Sequence, residues 1–275
     1  MRSLRPSRVR AALRRRRIRL REAALSATVS PRYFARGYRY ARSIPPAEQT
    51  PAPALTAHVN PLEDYFDALS EGPGIHKWRH YFDIYHRHLD RFRGRPVRIV
   101  EIGVFGGGCL QMWQEYFGPD TYIYGIDVDP ACRALQSENV EIVIGDQADP
   151  EFWRSFLERC PDIDVVIDDG GHEAHQQAVT LECLLPHIRP GGVYVCEDIH
   201  GAFHYFHSFL DGLTRPINSI KGPEHRNPAL ALHQHVASVH RYPILTVIEK
   251  PAVSPRKFTA PRHGTEWPAW AWQEE

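Results

Sequence analysis

Two acidic clusters near the middle of this 275-residue chain hold the side chains best suited to chemistry. Asp168-Asp169-Gly170-Gly171-His172 follows the apolar run Val165-Val166-Ile167, and Glu197-Asp198 follows Gly191-Gly192-Val193-Tyr194-Val195-Cys196. Carboxylate oxygens suit a hard divalent cation such as magnesium. Acids brought together without a cation repel one another and drive one pKa upward, so their convergence is easier to explain around an ion. A histidine, with an ordinary pKa of about 6.5, can accept a proton beside such an ion near neutrality, and His172 is placed for that role. The structural alternatives are a helix-capping role for Asp168-Asp169 and a solvated helix-start position for His172. Asp168 is read as support for the strand end rather than as an ion ligand.

The elements around these clusters alternate regularly. Strands are expected over 97–102, 122–126, 140–144, 163–167 and 193–196, and helices over 108–117, 150–160 and 173–187. Short apolar strands separated by helices mean a parallel sheet buried on both faces, so the fold class is α/β, Rossmann-like and doubly wound. Segments 236–240 and 244–248, flanking Arg241-Tyr242-Pro243, are expected to close the sheet as an antiparallel pair. Ahead of the sheet, 61–89 reads as helical with a break at Gly72-Pro73-Gly74. Its stripe of apolar and aromatic positions, Trp78, Tyr81, Phe82, Tyr85 and Leu89, is read mainly as core packing. A second reading makes Lys77, Trp78, His80 and Tyr81 a lid or contact over a ligand.

Such a sheet binds its ligand at the C-terminal ends of the strands. After the first strand, Glu101-Ile102-Gly103-Val104-Phe105-Gly106-Gly107-Gly108 supplies glycines for a tight turn close to a ligand. This is not the dinucleotide G-x-G-x-x-G, because Phe105 occupies the second glycine position. Asp127 ends the next strand, where a carboxylate can accept both hydroxyls of a ribose, and Asp146 in Gly145-Asp146-Gln147 is placed to face an adenine edge. A cationic, ribose-bearing ligand without phosphates fits this set.

Those residues, with Arg189-Pro190-Gly191-Gly192, resemble the class I S-adenosylmethionine-dependent methyltransferases. Gly145-Asp146-Gln147-x-Asp149-Pro150, Ile167-Asp168-Asp169-Gly170-Gly171-His172 and Glu197-Asp198 resemble in particular the metal-dependent O-methyltransferases of macrolide sugars, together with rhamnosyl O-methyltransferases and cephalosporin hydroxylase-like relatives. The similarity spans about residues 74–249. It implies S-adenosylmethionine bound by Glu101, Gly103, Gly107, Asp127, Asp146 and Gln147. It further implies Mg2+ ligation by Asp169, Glu197 and Asp198, and His172 as general base. The expected activity is methylation of a hydroxyl on a small molecule, a sugar or a glycosylated metabolite. A metal-dependent hydroxylase on the same fold is the alternative. Cys109 stands where many of these relatives have a serine, and segment 199–235 shows no match to their acceptor-binding residues.

The formal net charge of zero conceals an asymmetry. Residues 1–47 hold 14 arginines and no lysine against one acid, Glu22, which leaves 19 basic and 32 acidic residues in the remainder. The arm, with Arg14-Arg15-Arg16-Arg17 inside a helical spacing of Val9, Leu13 and Leu20, has several readings. It suits an anionic membrane surface or nucleic acid, an organelle presequence, or a solubilising tail. Pro45-Pro46 through Pro51-Ala52-Pro53 then forms a connector. The expected division is an arm and linker over 1–57, a methyltransferase domain over 58–250 and a tail over 251–275. Five cysteines without a Cys-x-x-Cys pair read as reduced thiols of a cytoplasmic protein. No apolar run approaches the roughly 20 residues needed to span a bilayer.

Overall fold

The computed structural model describes residues 31–43, 59–160, 162–218, 232–254, 261 and 263–266. The arm spacing over 9–25 and most of the 251–275 tail lie outside them. The chain divides into two units, residues 1–58 and 59–275. In the first, helix α1 (Pro31–Ser43) is described.

The second unit opens with α2 (Pro61–Ala68) and α3 (Arg79–Leu89), separated at the predicted glycine-proline break. Asn60 caps α2, its side-chain oxygen accepting from the Leu62 amide at 3.2 Å, while Pro61 takes the first-turn position where no amide donor is needed. Five parallel strands follow: β1 (Val97–Ile102), β2 (Thr121–Asp127), β3 (Val140–Ile144), β4 (Ile163–Asp168) and β5 (Ile188–Cys196). The hairpin β6 (Ser238–Tyr242) and β7 (Leu245–Glu249) completes a seven-stranded sheet of order β3-β2-β1-β4-β5-β7-β6, β7 being antiparallel to β5. The fold is Rossmann-like and doubly wound, mostly parallel with a closing antiparallel pair.

Alternate residues of each strand feed two cores. Ile99, Val165, Val193 and Val247 pack with Tyr81, Phe82 and Tyr85 of α3 and with Trp113 and Phe117 of α4 (Gly108–Phe117). Val100, Val166, Tyr194 and Ile248 pack on the other side with three helices, α5 (Pro150–Arg159), α6 (Ala174–Leu184) and α7 (Tyr205–Thr214). Burial on both faces explains why the strands read as continuous apolar runs.

Most boundaries fall within a few residues of expectation, and the differences at β5 and at the hairpin have a structural cause. Strand β5 begins at Ile188 rather than Val193, because Ile188 already pairs with Ile163 and an irregularity absorbs Arg189 to Gly192. The hairpin is shifted, turning at Pro243-Ile244, with Ile244 at φ 53°. Val236 is buried against α7's side of the sheet but precedes the strand.

Asp149 proves to be the N-cap of α5, accepting from the Glu151 amide at 2.9 Å ahead of Pro150. Asp149→Ala is expected to lower stability by about 1 kcal/mol, read from the urea midpoint, without altering ligand binding.

Candidate active site

Strand order reverses between β1 and β4, and the crevice beyond their C-terminal ends is where a doubly wound sheet takes its ligand. A cleft of about 460 Å³ opens there. Gly103, Gly107, Asp127, Asp146 and Gln147 line one part of it, and Asp169, His172 and Asp198 line another. Glu101 and Glu197 do not line it; both are fully buried.

On the first side, Gly103 sits at φ 87°, and a Cβ there would lie 2.0 Å from the carbonyl oxygen of Asp169. Only glycine lets the β1 turn pass this close to the acidic loop. Asp127 Oδ2 accepts from the Val104 and Phe105 amides, each at 3.0 Å, and its Oδ1 accepts from Asp129 at 2.9 Å. Burial alone would raise this carboxyl, but these donors outweigh it and hold the group below the usual carboxylate range. The Asp127 carboxylate is thus an ionised, fixed acceptor at the cleft wall. Asp146 accepts from the Ala148 amide at 2.8 Å.

Gln147 works as a brace. Its Nε2 donates to Asp168 Oδ1 at 2.9 Å and to Thr180 Oγ1 at 3.1 Å, while its Oε1 accepts from the Gly171 amide at 2.7 Å. Asp168 also accepts from the Tyr194 hydroxyl at 2.6 Å and is buried. It supports the strand end, as its position suggested.

Glu101 lies beneath the cleft rather than in its wall. Its Oε1 accepts from Trp113 Nε1 at 3.3 Å, and Oε2 is buried without a partner. Burial pushes this carboxyl up to about 7, with Lys77 pulling the other way. A folded pKa above the ordinary value near 4.5 contributes stability below that value and loses it as pH rises through 7. The ligand-free protein is therefore expected to lose on the order of 3 kcal/mol from this group as pH rises from about 5 to 8. Glu101→Gln should flatten that part of the profile of unfolding midpoint against pH.

On the second side, Asp169, His172 and Asp198 each offer a ligand atom, all within 4.8 Å of one another. His172 Nε2 is 3.9 Å from Asp169 Oδ1 and 3.9 Å from Asp198 Oδ2. Its Nδ1 is buried without a partner, and its carbonyl accepts from His204 Nε2 at 3.0 Å. His172 and Asp198 adopt the left-handed conformation at φ 58° and 54°, and such strain in non-glycine residues gathers at functional sites.

Of the three acids that the resemblance implies as metal ligands, the structure gathers Asp169 and Asp198 and turns Glu197 elsewhere. Glu197 Oε2 accepts from Lys77 Nζ at 2.7 Å and Oε1 from the Tyr85 hydroxyl at 2.6 Å. Lys77 also reaches Asp169 Oδ2 at 2.5 Å, and the Tyr81 hydroxyl donates to Asp198 Oδ1 at 2.7 Å. Tyr81 and Tyr85 stand four residues apart on one side of α3, and Lys77 joins them from the segment ahead of the extended N-cap Trp78. Together they form a rack for three carboxylates. Burial disfavours the Lys77 charge, but Glu197 and the neighbouring acids outweigh it and keep the ammonium protonated. Burial raises the Glu197 carboxyl, against the pull of Lys77 and Tyr85.

Sequence reasoning read this stripe mainly as packing. The missed signal was the hydroxyl tip: a buried tyrosine needs a partner where phenylalanine does not. The lid reading divides in the same way. Lys77 and Tyr81 reach the acids, whereas Trp78 is exposed with its ring 6.2 Å from His200.

The carboxylates of Asp169 and Asp198 converge as oxygen donors of the kind a hard divalent cation takes, with the His172 imidazole beside them. A glycine cradle above a buried acid with an unpartnered oxygen fits a cationic ligand.

Comparison with known proteins agrees with this geometry. A family model described as a methyltransferase domain matches residues 100–199. The chain is 33% identical over 209 residues to demethylmacrocin O-methyltransferase of Streptomyces fradiae, covering 64% of this chain and 52% of that protein. It is 38% identical over 126 residues to mycinamicin VI 2''-O-methyltransferase of Micromonospora griseorubida, covering 43% and 31% respectively. The chain thus spans about half the length of the first of these relatives and less of the second. Among solved structures it is similar to the MycE methyltransferase from the mycinamycin biosynthetic pathway in complex with Mg and SAH. The TM-score is 0.57 at 28% identity, over 72% of this chain and 58% of that one. A sheet of this order, a glycine turn over β1 and a domain match spanning both acidic clusters agree with one another: residues 100–199 match a methyltransferase domain, carried on a methyltransferase-like fold.

Proposed function

We propose that this chain transfers a methyl group from S-adenosylmethionine to a hydroxyl of a small molecule, a sugar or a glycosylated metabolite, with magnesium assistance. The observation that carries this reading is the meeting of Asp169, His172 and Asp198 in the same cleft as the Gly103–Gly107 turn and Asp127. The relatives are named as O-methyltransferases, one of them of a rhamnosyl compound, which supports an oxygen acceptor on a glycosylated molecule. Residues 58–250 form the catalytic unit in this reading, between the 1–57 arm and the 251–275 tail. Free thiols at all five cysteines fit a reducing compartment such as the cytoplasm. Among the described residues no helix is long and apolar enough to cross a membrane.

In this reading Asp127 accepts the ribose hydroxyls, while Gly103 and Gly107 let the backbone approach the donor and Asp146 faces its base. Gln147 holds the acidic loop in register with β3 through Asp168 and Gly171. Asp169 and Asp198 are the carboxylates that hold the ion. Glu197 lies behind them, its oxygens bonded to Lys77 and Tyr85. The bound groups supply an already activated methyl on a sulfonium and Lewis-acid polarisation of the acceptor hydroxyl. His172 takes the hydroxyl proton at Nε2, the ring nitrogen nearer both acids. Imidazole is a poor ligand for magnesium, which favours the base role over ligation.

Calorimetric titration with S-adenosylmethionine, with and without Mg2+, tests the class, and mass gain across glycosylated acceptors then tests the substrate. Absence of donor binding would overturn the proposal. Full turnover in excess chelator would remove the ion from it, and a Glu197→Gln protein with much weaker Mg2+ binding would return Glu197 to the ligand set.

A further inference from the structure

Helix α1 carries a second patterned surface. Its thirteen residues contain four arginines and no acid. At 3.6 residues per turn, Tyr33, Phe34, Gly37, Tyr38 and Ala41 fall on one side, and Arg36, Arg39 and Ser43 on the other. The aromatic rings face solvent: Tyr33 is 74%, Phe34 62% and Tyr40 69% exposed. The rings of Phe34 and Tyr38 stack at 6.4 Å with an interplanar angle of 5°, and the Arg42 guanidinium lies 6.0 Å from the Tyr38 ring centroid. Holding large rings in water is unfavourable, and here they form one continuous side rather than scattered positions.

We propose that α1 is a membrane-surface helix that lies in the headgroup layer of an anionic bilayer. The aromatic side enters the boundary with the acyl chains, and Arg36 and Arg39 meet lipid phosphates. An arginine-bearing polar side opposite an aromatic apolar side is the pattern of helices that lie in the membrane plane. Tyrosine suits that depth, with its ring in the apolar layer and its hydroxyl at the headgroups. The charge distribution selects the same partner. Residues 1–47 carry 14 arginines against one acid, and the remaining chain carries 32 acids against 19 basic residues. An anionic surface therefore attracts the arm and repels the rest, which makes the arm the contact. The phosphate track of a nucleic-acid duplex would engage the arginine side and leave the aromatic side in water, whereas a bilayer satisfies both.

The test is co-sedimentation of the full chain with vesicles of equal parts phosphatidylcholine and phosphatidylglycerol, against vesicles of phosphatidylcholine alone. Partition is expected only onto the anionic vesicles, and it should weaken with added salt. Arg36→Glu with Arg39→Glu should reduce it on the order of 30-fold or more, since each basic residue near such a surface contributes about 1 kcal/mol. Phe34→Ser with Tyr38→Ser should reduce it at least about tenfold through lost apolar burial. Both double variants alter an exposed helix, so they should keep the parent's unfolding midpoint and donor binding. Equal partition onto neutral vesicles would overturn the proposal, as would partition unaffected by either double variant. An RNA oligonucleotide bound in place of vesicles would reassign α1 to nucleic acid. Self-association that the arginine variant abolishes, without vesicle binding, would reassign it to a second copy of this chain.

Discussion

Replacing His172 should reduce methyl transfer by about 10²–10⁴-fold, the usual contribution of a positioned general base, while donor affinity stays close to that of the parent. His172 Nε2 is within 4 Å of both Asp169 and Asp198, and its ring bonds to neither at hydrogen-bond distance. The backbone complicates the choice of variant. At φ 58° alanine adds strain that asparagine, which tolerates the left-handed region, largely avoids. His172→Asn is the cleaner substitution, with His172→Ala beside it to measure the backbone contribution. If both lose turnover and both still bind S-adenosylmethionine by calorimetry, the loss belongs to the proton acceptor. Full activity in either would remove His172 from that role.

The second large effect is expected on stability. Lys77→Met removes the cation paired with Glu197 among the described residues, leaving the neutral hydroxyl of Tyr85 as a partner. The Lys77 and Glu197 side chains are 2% and 1% exposed, so solvent screens the pair little. Removing one member of a buried pair costs about 3–5 kcal/mol, because the charge left behind has no water to turn to. The urea midpoint should fall accordingly. Mg2+ should then restore more stability to the variant than to the parent, since binding to the folded form alone stabilises it and a divalent cation among these carboxylates replaces the missing charge. Tyr85→Phe, which removes one neutral donor, should cost only about 1–2 kcal/mol. An unchanged midpoint in Lys77→Met, or an equal response to Mg2+ in variant and parent, would mean that the rack does not hold the acids.

The alternation of strands and helices was legible because each strand is short, apolar and bounded by its own turn residues. The edges of β5 and of the hairpin were not, since pairing with a neighbour can extend a strand through glycines or shift a turn by two residues. The acids at the strand ends were legible for a related reason. In a parallel sheet the chain direction alone decides which edge a terminal residue reaches, so Asp127, Asp169 and Asp198 had to come to the edge where the crevice opens.

What the tertiary structure decided is how those acids are used. Lys77 meets Glu197 across 120 residues of chain, Tyr81 meets Asp198 across 117, and Tyr85 meets Glu197 across 112. Local spacing carries no information about such contacts, because they depend on where α3 lands on the sheet. The same packing puts Glu101 under the cleft instead of at its wall and gives Gln147 a bracing role. Residue types along the chain thus set which groups reach the crevice. Only the docking of α3 against the sheet set which oxygens stay open to an ion and which are bonded within the protein, because hydrogen-bond partners are assigned by distance in space and not by separation along the chain.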